Sequence, residues 1–176
     1  MSEFVPIFRG SVNAWECDIM GHFNVQFYAA KMFEGLNHLK SQLGLDPAQN
    51  MTWQANHLLS RYQGELHAGD IVDIRAGVLA VEADRVHILA EIMNGETDDM
   101  SASFELWCDG FDNKTQQPAP WPEDIRQKMS AKVVTRTDQP RPPTVGGPVP
   151  VHAGQLSDPF VSGRGSIAAW DCDNDG

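Results

Sequence analysis

Along one stretch of the chain apolar residues recur at helical spacing, and beyond it they alternate. Measured from Val25 at about 100 degrees per residue, Tyr28, Ala29, Met32, Leu36, Leu39 and Leu43 fall within roughly 60 degrees of one line. This predicts a long amphipathic helix with one continuous apolar seam. Lys31, Glu34, His38 and Ser41 fall opposite the seam, and "GLDP" from Gly44 to Pro47 supplies the Gly-then-Pro punctuation that ends helices. Ahead of the helix, Phe8 to Trp15 alternate loosely and include Val12, as in a strand that stops at the polar "ECD".

After the helix the period drops to two. Ile71, Val72 and Ile74 open a strand; Val86, Ile88, Ala90 and Ile92 alternate with His87, Leu89, Glu91 and Met93; Met100, Ala102, Phe104 and Leu106 alternate with Ser101, Ser103, Glu105 and Trp107. The segment "TWQANHLLSRYQGELHAGD" supplies a further strand. "VEADR" and "NGETDD" read as the turns between strands, the second because Asn-Gly accepts positive φ. One helix with an exposed seam, followed by a meander of about four strands long enough to cover it, implies an α+β fold in which a curved antiparallel sheet wraps a central helix. "PWPEDIRQKMSA" predicts a short second helix, with Pro122 at its start, Glu123 and Asp124 in the first turn, and Arg126 and Lys128 later.

From Val133 to Gly163 the composition turns Pro- and Gly-rich, which predicts a folded unit over residues 1–132 and a linker over 133–163. The 13 Lys and Arg against 24 Asp and Glu leave a net charge of −11, which opposes the phosphate neutralisation that drives nucleic-acid binding. No apolar run reaches the ~18 residues of a membrane span, and "MSEFVPIFRG" lacks the features of a signal peptide, so the expected address is cytoplasmic. Cys17, Cys108 and Cys172 form no CxxC pair and suit a reducing compartment, reading as small buried apolar residues.

The candidate chemistry sits between the first strand and the long helix, at Asp18, Gly21, His22 and Asn24. Unpaired amides of a helix's first turn, reinforced by the macrodipole, hold a carbonyl oxygen or a developing oxyanion. A carboxylate a few residues earlier can face the same spot, and the pair provides the two elements of acyl transfer. By residue type alone, Asp18 is more often a turn or capping residue than a catalyst, His22 more often a packed or solvent-facing imidazole than a ligand or base, and Asn24 suits a helix cap in its own right.

In order and context, "AWECDIMGHFNVQFYAAKMFE" resembles the start of the hotdog-fold acyl-CoA thioesterases typified by 4-hydroxybenzoyl-CoA thioesterase. The matching positions are Asp18, Gly21, His22, Asn24, Tyr28, Phe33 and Glu34, and the resemblance continues through "RYQGELHAGDIVDI" and "PWPEDIRQKM" over roughly residues 8 to 130. It implies a hotdog fold and hydrolysis of an acyl-CoA thioester, with Asp18 as nucleophile or general base. Backbone amides near Asn24 and Val25 would polarise the thioester oxygen, Gly21 would permit the turn, and His22 and Asn24 would position water or the acyl group. Phe23 and Tyr28 become candidates to line the acyl pocket, with a core role equally open to Tyr28 on the seam; Glu34 reads as a helix-surface carboxylate. The acyl group itself stays open. Neither metal-ligand spacing nor a GxSxG or phosphate loop is present, so the expectation is no metal and no cofactor, with CoA only as part of the substrate. The resemblance further implies a homodimer, because such sites usually lie between two hotdog units. Thioesters of an acyl carrier protein and a non-catalytic acyl-CoA-binding unit are the alternatives.

"RGSVNAWECDIMG" from Arg9 returns as "RGSIAAWDCDNDG" at Arg164, with 8 of 13 positions identical at an offset of 155 residues. This echo reads as the first strand of a truncated second hotdog repeat over 164–176. Its Asp173 has no helix after it and is expected to carry no catalysis.

Overall fold

A computed structural model of the chain describes residues 4–45 and 50–136. The echo at 164–176, most of the linker, and Asp46 and Pro47 after the long helix lie outside the described residues.

Five long strands form one antiparallel sheet. They are β1 (Val5–Ser11), β2 (Met51–Tyr62), β3 (Ile71–Val81), β4 (Arg85–Asn94) and β5 (Met100–Asp112), and a two-residue β6 (Gln117–Pro118) pairs with β5. The order across the sheet is β1-β3-β4-β5-β2, so β1 and β2 stand at opposite ends. Helix α1 (Val25–Leu43) packs against β1, β3 and β4, and α2 (Glu123–Ser130) packs against β3 and α1. This is the α+β arrangement expected of a hotdog fold.

The predicted seam of α1 is the core. Met32, Leu36, Leu39 and Leu43 are buried against the inward-facing Val72, Ile74, Ala76 and Val78 of β3, Ile88, Ala90 and Ile92 of β4, and Phe104 and Leu106 of β5. At about 25 cal/mol per Å² of apolar surface removed from water, these contacts are the main favourable term holding helix to sheet. Gly44 ends α1 in the left-handed region at φ 82°, and its amide donates to the carbonyls of Lys40 and Ser41. Two positions depart from the seam: Val25 is 56% exposed, and Lys31, placed by periodicity on the solvent side, is buried.

Three local expectations are corrected. The first strand ends at Ser11, and Ala14–Glu16 form a 3₁₀ turn closed by a capping box between Asn13 and Glu16, which leaves Trp15 71% exposed. In the β4–β5 connection the residue with positive φ is Asp98 at 61°, while Asn94 Oδ1 accepts from the Glu96 and Thr97 amides. Gly95 is required there for space, because a Cβ would lie 2.6 Å from Ile71 Cγ2. Packing also continues past residue 132, where the composition changes. Val134 is buried, its amide donates to Val78 O, and Arg136 pairs with Glu105 at 2.6 Å. The returning chain thus bridges to β3 at the edge beyond β1, and the Val134 and Arg136 side chains reach over the face turned away from α1, where Leu89 and Glu91 are buried as well. Of the cysteines, Cys108 is buried and its thiol is pushed up to about 12 by burial, whereas Cys17 is half-buried; Cys172 lies outside the described residues.

Candidate active site

The turn from Asp18 to His22 is built by the Asp18 carboxylate. Its Oδ1 accepts from the amides of Met20 (2.9 Å) and His22 (3.0 Å). The Asp18 amide donates to His22 O, and the Gly21 amide donates to Asp18 O. Gly21 closes the turn at φ 81°, a conformation that favours glycine. Asp18 is therefore the turn residue that its type suggests. Among the described residues its second oxygen, Oδ2, accepts no hydrogen bond.

Past the turn, short backbone bridges hold the chain in place. Cys17 pairs with Phe23 and His22 with His67, the Phe23 amide donates to Leu66 O at 2.7 Å, and the Asn24 amide donates to Glu16 O at 3.0 Å. Asn24 is the N-cap of α1: its Oδ1 accepts from the Gln26 amide at 3.1 Å, and its carbonyl accepts from the Phe27 amide. The backbone donor expected near Asn24 and Val25 is thereby narrowed. Asn24 N–H is committed to Glu16, whereas Val25 N–H, at the positive end of the helix, makes no hydrogen bond within the described residues.

Asp18, His22, Phe23, Asn24, Val25 and Tyr28 line one pocket of about 320 Å³, together with Tyr62, Gly64 and Glu65. Gly21 shapes the turn without lining the pocket, and Phe33 and Glu34 lie further along α1. Phe23 is buried and its ring lies against Tyr28, tilted by 42° with centres 4.4 Å apart, and Tyr28 meets Tyr62 edge-on at 5.5 Å. Tyr28 belongs to both the core and the pocket wall. Ser101 Oγ donates to Gly64 O at 2.6 Å, which spends its only proton, so the Tyr28 hydroxyl donates to Ser101 Oγ across 3.1 Å. Burial pushes the Tyr28 phenol up, outweighing that hydrogen bond, so it stays neutral.

An ion pair supports the site from below. Glu16 and Lys31, both buried, meet at 2.9 Å; Glu16 Oε2 also accepts from the Asn13 amide, and the Lys31 ammonium lies 5.8 Å from the centre of the Phe23 ring. Burial works to raise the Glu16 carboxyl, but the hydrogen bonds from Lys31 and Asn13 and the Lys31 charge together hold it below the usual range. Since Asn24 donates to the Glu16 carbonyl, this pair ties the carboxylate turn to the helix start.

Tyr62, Gly64 and Glu65 were not marked as site residues by the sequence pattern. They come from the end of β2 and the chain after it, and the only available signal was that "RYQGEL" falls within the matching family segment. The fold also joins donor atoms that no sequence spacing suggests. Nitrogens of His22 and His67 and a Glu65 carboxylate oxygen lie within 4.8 Å of one another, and His22 Nε2 is 3.6 Å from Glu65 Oε2.

The sequence model of the thioesterase-like superfamily matches residues 12–129, which spans the site and nearly the whole described fold. No curated protein sequence matches the chain. Among solved structures, a hypothetical protein of Staphylococcus aureus in complex with CoA is similar at a TM-score of 0.71 and 16% identity, covering 79% of this chain and 91% of that one. A predicted thioesterase of Bacillus stearothermophilus is similar at 0.66 and 19%, covering 76% and 99%. The 1,4-dihydroxy-2-naphthoyl-CoA thioesterase of Synechocystis is similar at 0.62 and 14%, covering 73% and 96%. At such identities these structures share the fold.

Proposed function

The chain belongs to the thioesterase-like superfamily, and on that premise we propose that it hydrolyses an acyl-CoA thioester to a carboxylic acid and CoA at the pocket around Asp18. One observation carries this reading: the pocket brings a carboxylate with an uncommitted oxygen together with an uncommitted helix-terminal amide. In hydrolysis the Val25 N–H, backed by the dipole of a 19-residue helix, donates to the thioester oxygen and stabilises the negative charge that develops on it. Asp18 Oδ2 then serves by either of two routes. As general base it takes a proton from water, whose oxygen attacks the carbonyl carbon while the C–S bond breaks and the thiolate leaves. As nucleophile it attacks the carbonyl carbon itself, the C–S bond breaks as the thiolate leaves, and water then opens the resulting anhydride to the free acid and the regenerated Asp18 carboxylate. His22 positions the water or acyl group beside it. Phe23, Tyr28 and Tyr62 offer the acyl chain an aromatic wall. The CoA bound in the S. aureus neighbour supports CoA as the thiol portion.

Two alternatives are weighed against this reading. The net charge of −11 counts against docking a strongly acidic carrier protein, and the uncommitted Asp18 oxygen counts against a unit that only binds.

The decisive experiment compares the protein with Asp18→Asn on a panel of acyl-CoAs of differing chain length and polarity. Asparagine keeps an oxygen acceptor for the Met20 and His22 amides, so the turn is retained and the melting temperature changes little. The expected result is a fall in kcat of at least about 100-fold. Equal rates would remove Asp18 from the reaction, and no hydrolysis of any thioester would favour the binding role.

A further inference from the structure

We propose that His22, Glu65 and His67 form a site for a divalent transition-metal cation of the zinc class on the rim of the candidate pocket. The donor set has the right chemistry: two imidazoles and a carboxylate suit zinc and its neighbours, whereas magnesium and calcium favour all-oxygen shells. It also has nearly the right size. Zinc bonds of about 2.0–2.1 Å at tetrahedral angles place neighbouring donors about 3.3 Å apart. His22 Nε2 and Glu65 Oε2 already stand at 3.6 Å, and all three donors lie within 4.8 Å of one another. Small side-chain rotations close the remainder.

The scaffold beneath these donors is fixed. His22 and His67 face each other across an antiparallel backbone bridge, and the neighbouring Phe23 amide donates to Leu66 O at 2.7 Å. The two rings meet nearly at right angles, 80°, with centres 5.1 Å apart. A second carboxylate stands behind His67. Asp70 Oδ2 is held by the His67 amide at 2.8 Å and lies 3.8 Å from His67 Nδ1. This is a charge contact without a hydrogen bond; it places a carboxylate behind one of the proposed imidazole ligands, as is common at metal-binding histidines. Glu65 and His67 side chains are 69% and 55% exposed, so a cation reaches them directly from solvent, and three protein ligands leave a position for water.

Two of the ligands, His22 and Glu65, also line the pocket with Asp18. A bound cation takes the free lone pair of His22 and draws both side chains toward His67. Metal binding therefore withdraws His22 from the pocket and inhibits hydrolysis; this second part rests on the hydrolase reading proposed above.

The test uses the full chain, freed of metal with a chelator, and Co²⁺ as the probe. The expected result is a visible d–d absorption band that saturates at one equivalent. His67→Gln and Glu65→Gln should each weaken Co²⁺ binding at least about tenfold, with metal-free melting temperatures close to that of the wild type. Equal Co²⁺ affinity in the wild type and in both variants overturns the site. Thioester hydrolysis is then followed with Zn²⁺ at a concentration that displaces the bound Co²⁺. The wild-type rate falls several-fold while His67→Gln, which lies outside the pocket, keeps its rate; zinc captured by the released thiol would affect both proteins alike. An unchanged wild-type rate under saturating metal overturns the inhibitory link. If the wild type hydrolyses no thioester, the Co²⁺ measurement still decides the site, and the failure belongs to the hydrolase reading.

Discussion

Glu16 illustrates how a residue beneath the site can matter more to stability than those within it. Replacing it by Gln leaves the Lys31 ammonium buried without its counter-charge, and losing one member of a buried pair typically costs about 3 kcal/mol or more. Glu16→Gln is therefore expected to lower the unfolding free energy by about 3 kcal/mol, measured by urea denaturation at pH 7. The pH dependence has a defined sign. Because the folded pKa of Glu16 is depressed, its contribution is fully present above the unfolded glutamate pKa of about 4.3 and is lost as pH falls through the lower folded value. The wild type should lose stability over that acid window while Glu16→Gln shows a shallower slope; parallel slopes would contradict the assignment. At this scale the sequence was informative for contiguous residues. Asp18, His22, Phe23, Asn24, Val25 and Tyr28 occupy one stretch, and the pocket takes all of them. Lys31 was misplaced because helical periodicity averages over a face. It does not foresee a glutamate of a neighbouring 3₁₀ turn reaching in to pair with a lysine.

Among the elements, α1 and the alternating strands were the most legible, because their periods repeat over many residues and a single exception does not shift them. Short elements depend on particular hydrogen bonds instead. The 3₁₀ turn at Ala14–Glu16 interrupts what reads as alternation because Glu16 Oε2 captures the Asn13 amide, a local competition that hydropathy does not register. The β4–β5 turn places its left-handed residue at Asp98 rather than at the Asn-Gly step, since Gly95 is committed to close contact with Ile71. The start of α1 is the element boundary on which the site depends most. Asn24→Ala removes the acceptor for the Gln26 amide and is expected to destabilise the protein by about 1 kcal/mol, measured by thermal or urea unfolding. If Asn24 acts only as a cap, Asn24→Ser should restore stability and activity together. Restored stability without restored hydrolysis would show that the amide side chain has a further role toward substrate.

For the molecule as a whole, the pocket is open on the side where β2 ends the sheet. Tyr62 faces inward onto Phe104 and Tyr28, and Leu58 and Ser60 share that face of β2 by the two-residue period of a strand. Yet Leu58 and Tyr62 are 41% and 45% exposed, and Val25, across the pocket from Tyr62, is 56% exposed. Tyr62, Gly64 and Glu65 escaped the sequence reading for a related reason: which segment closes against a helix start is set by sheet order, and strand periodicity carries no information about order. A twelve-residue edge strand with an uncovered apolar face is a surface that proteins usually bury. The homodimer expected from the sequence therefore predicts that a second copy covers this face and completes the candidate pocket. Sedimentation equilibrium should give twice the mass of the chain. Leu58→Arg, which places a charge on the uncovered face without touching the pocket lining, should shift the protein toward monomer with unchanged circular dichroism. Because the pocket wall near Val25 and Tyr62 would then face water, hydrolysis should fall in step with the dimer fraction and recover as protein concentration is raised. A wild type that sediments as a monomer while hydrolysing thioesters at full rate would show instead that one chain completes its own site.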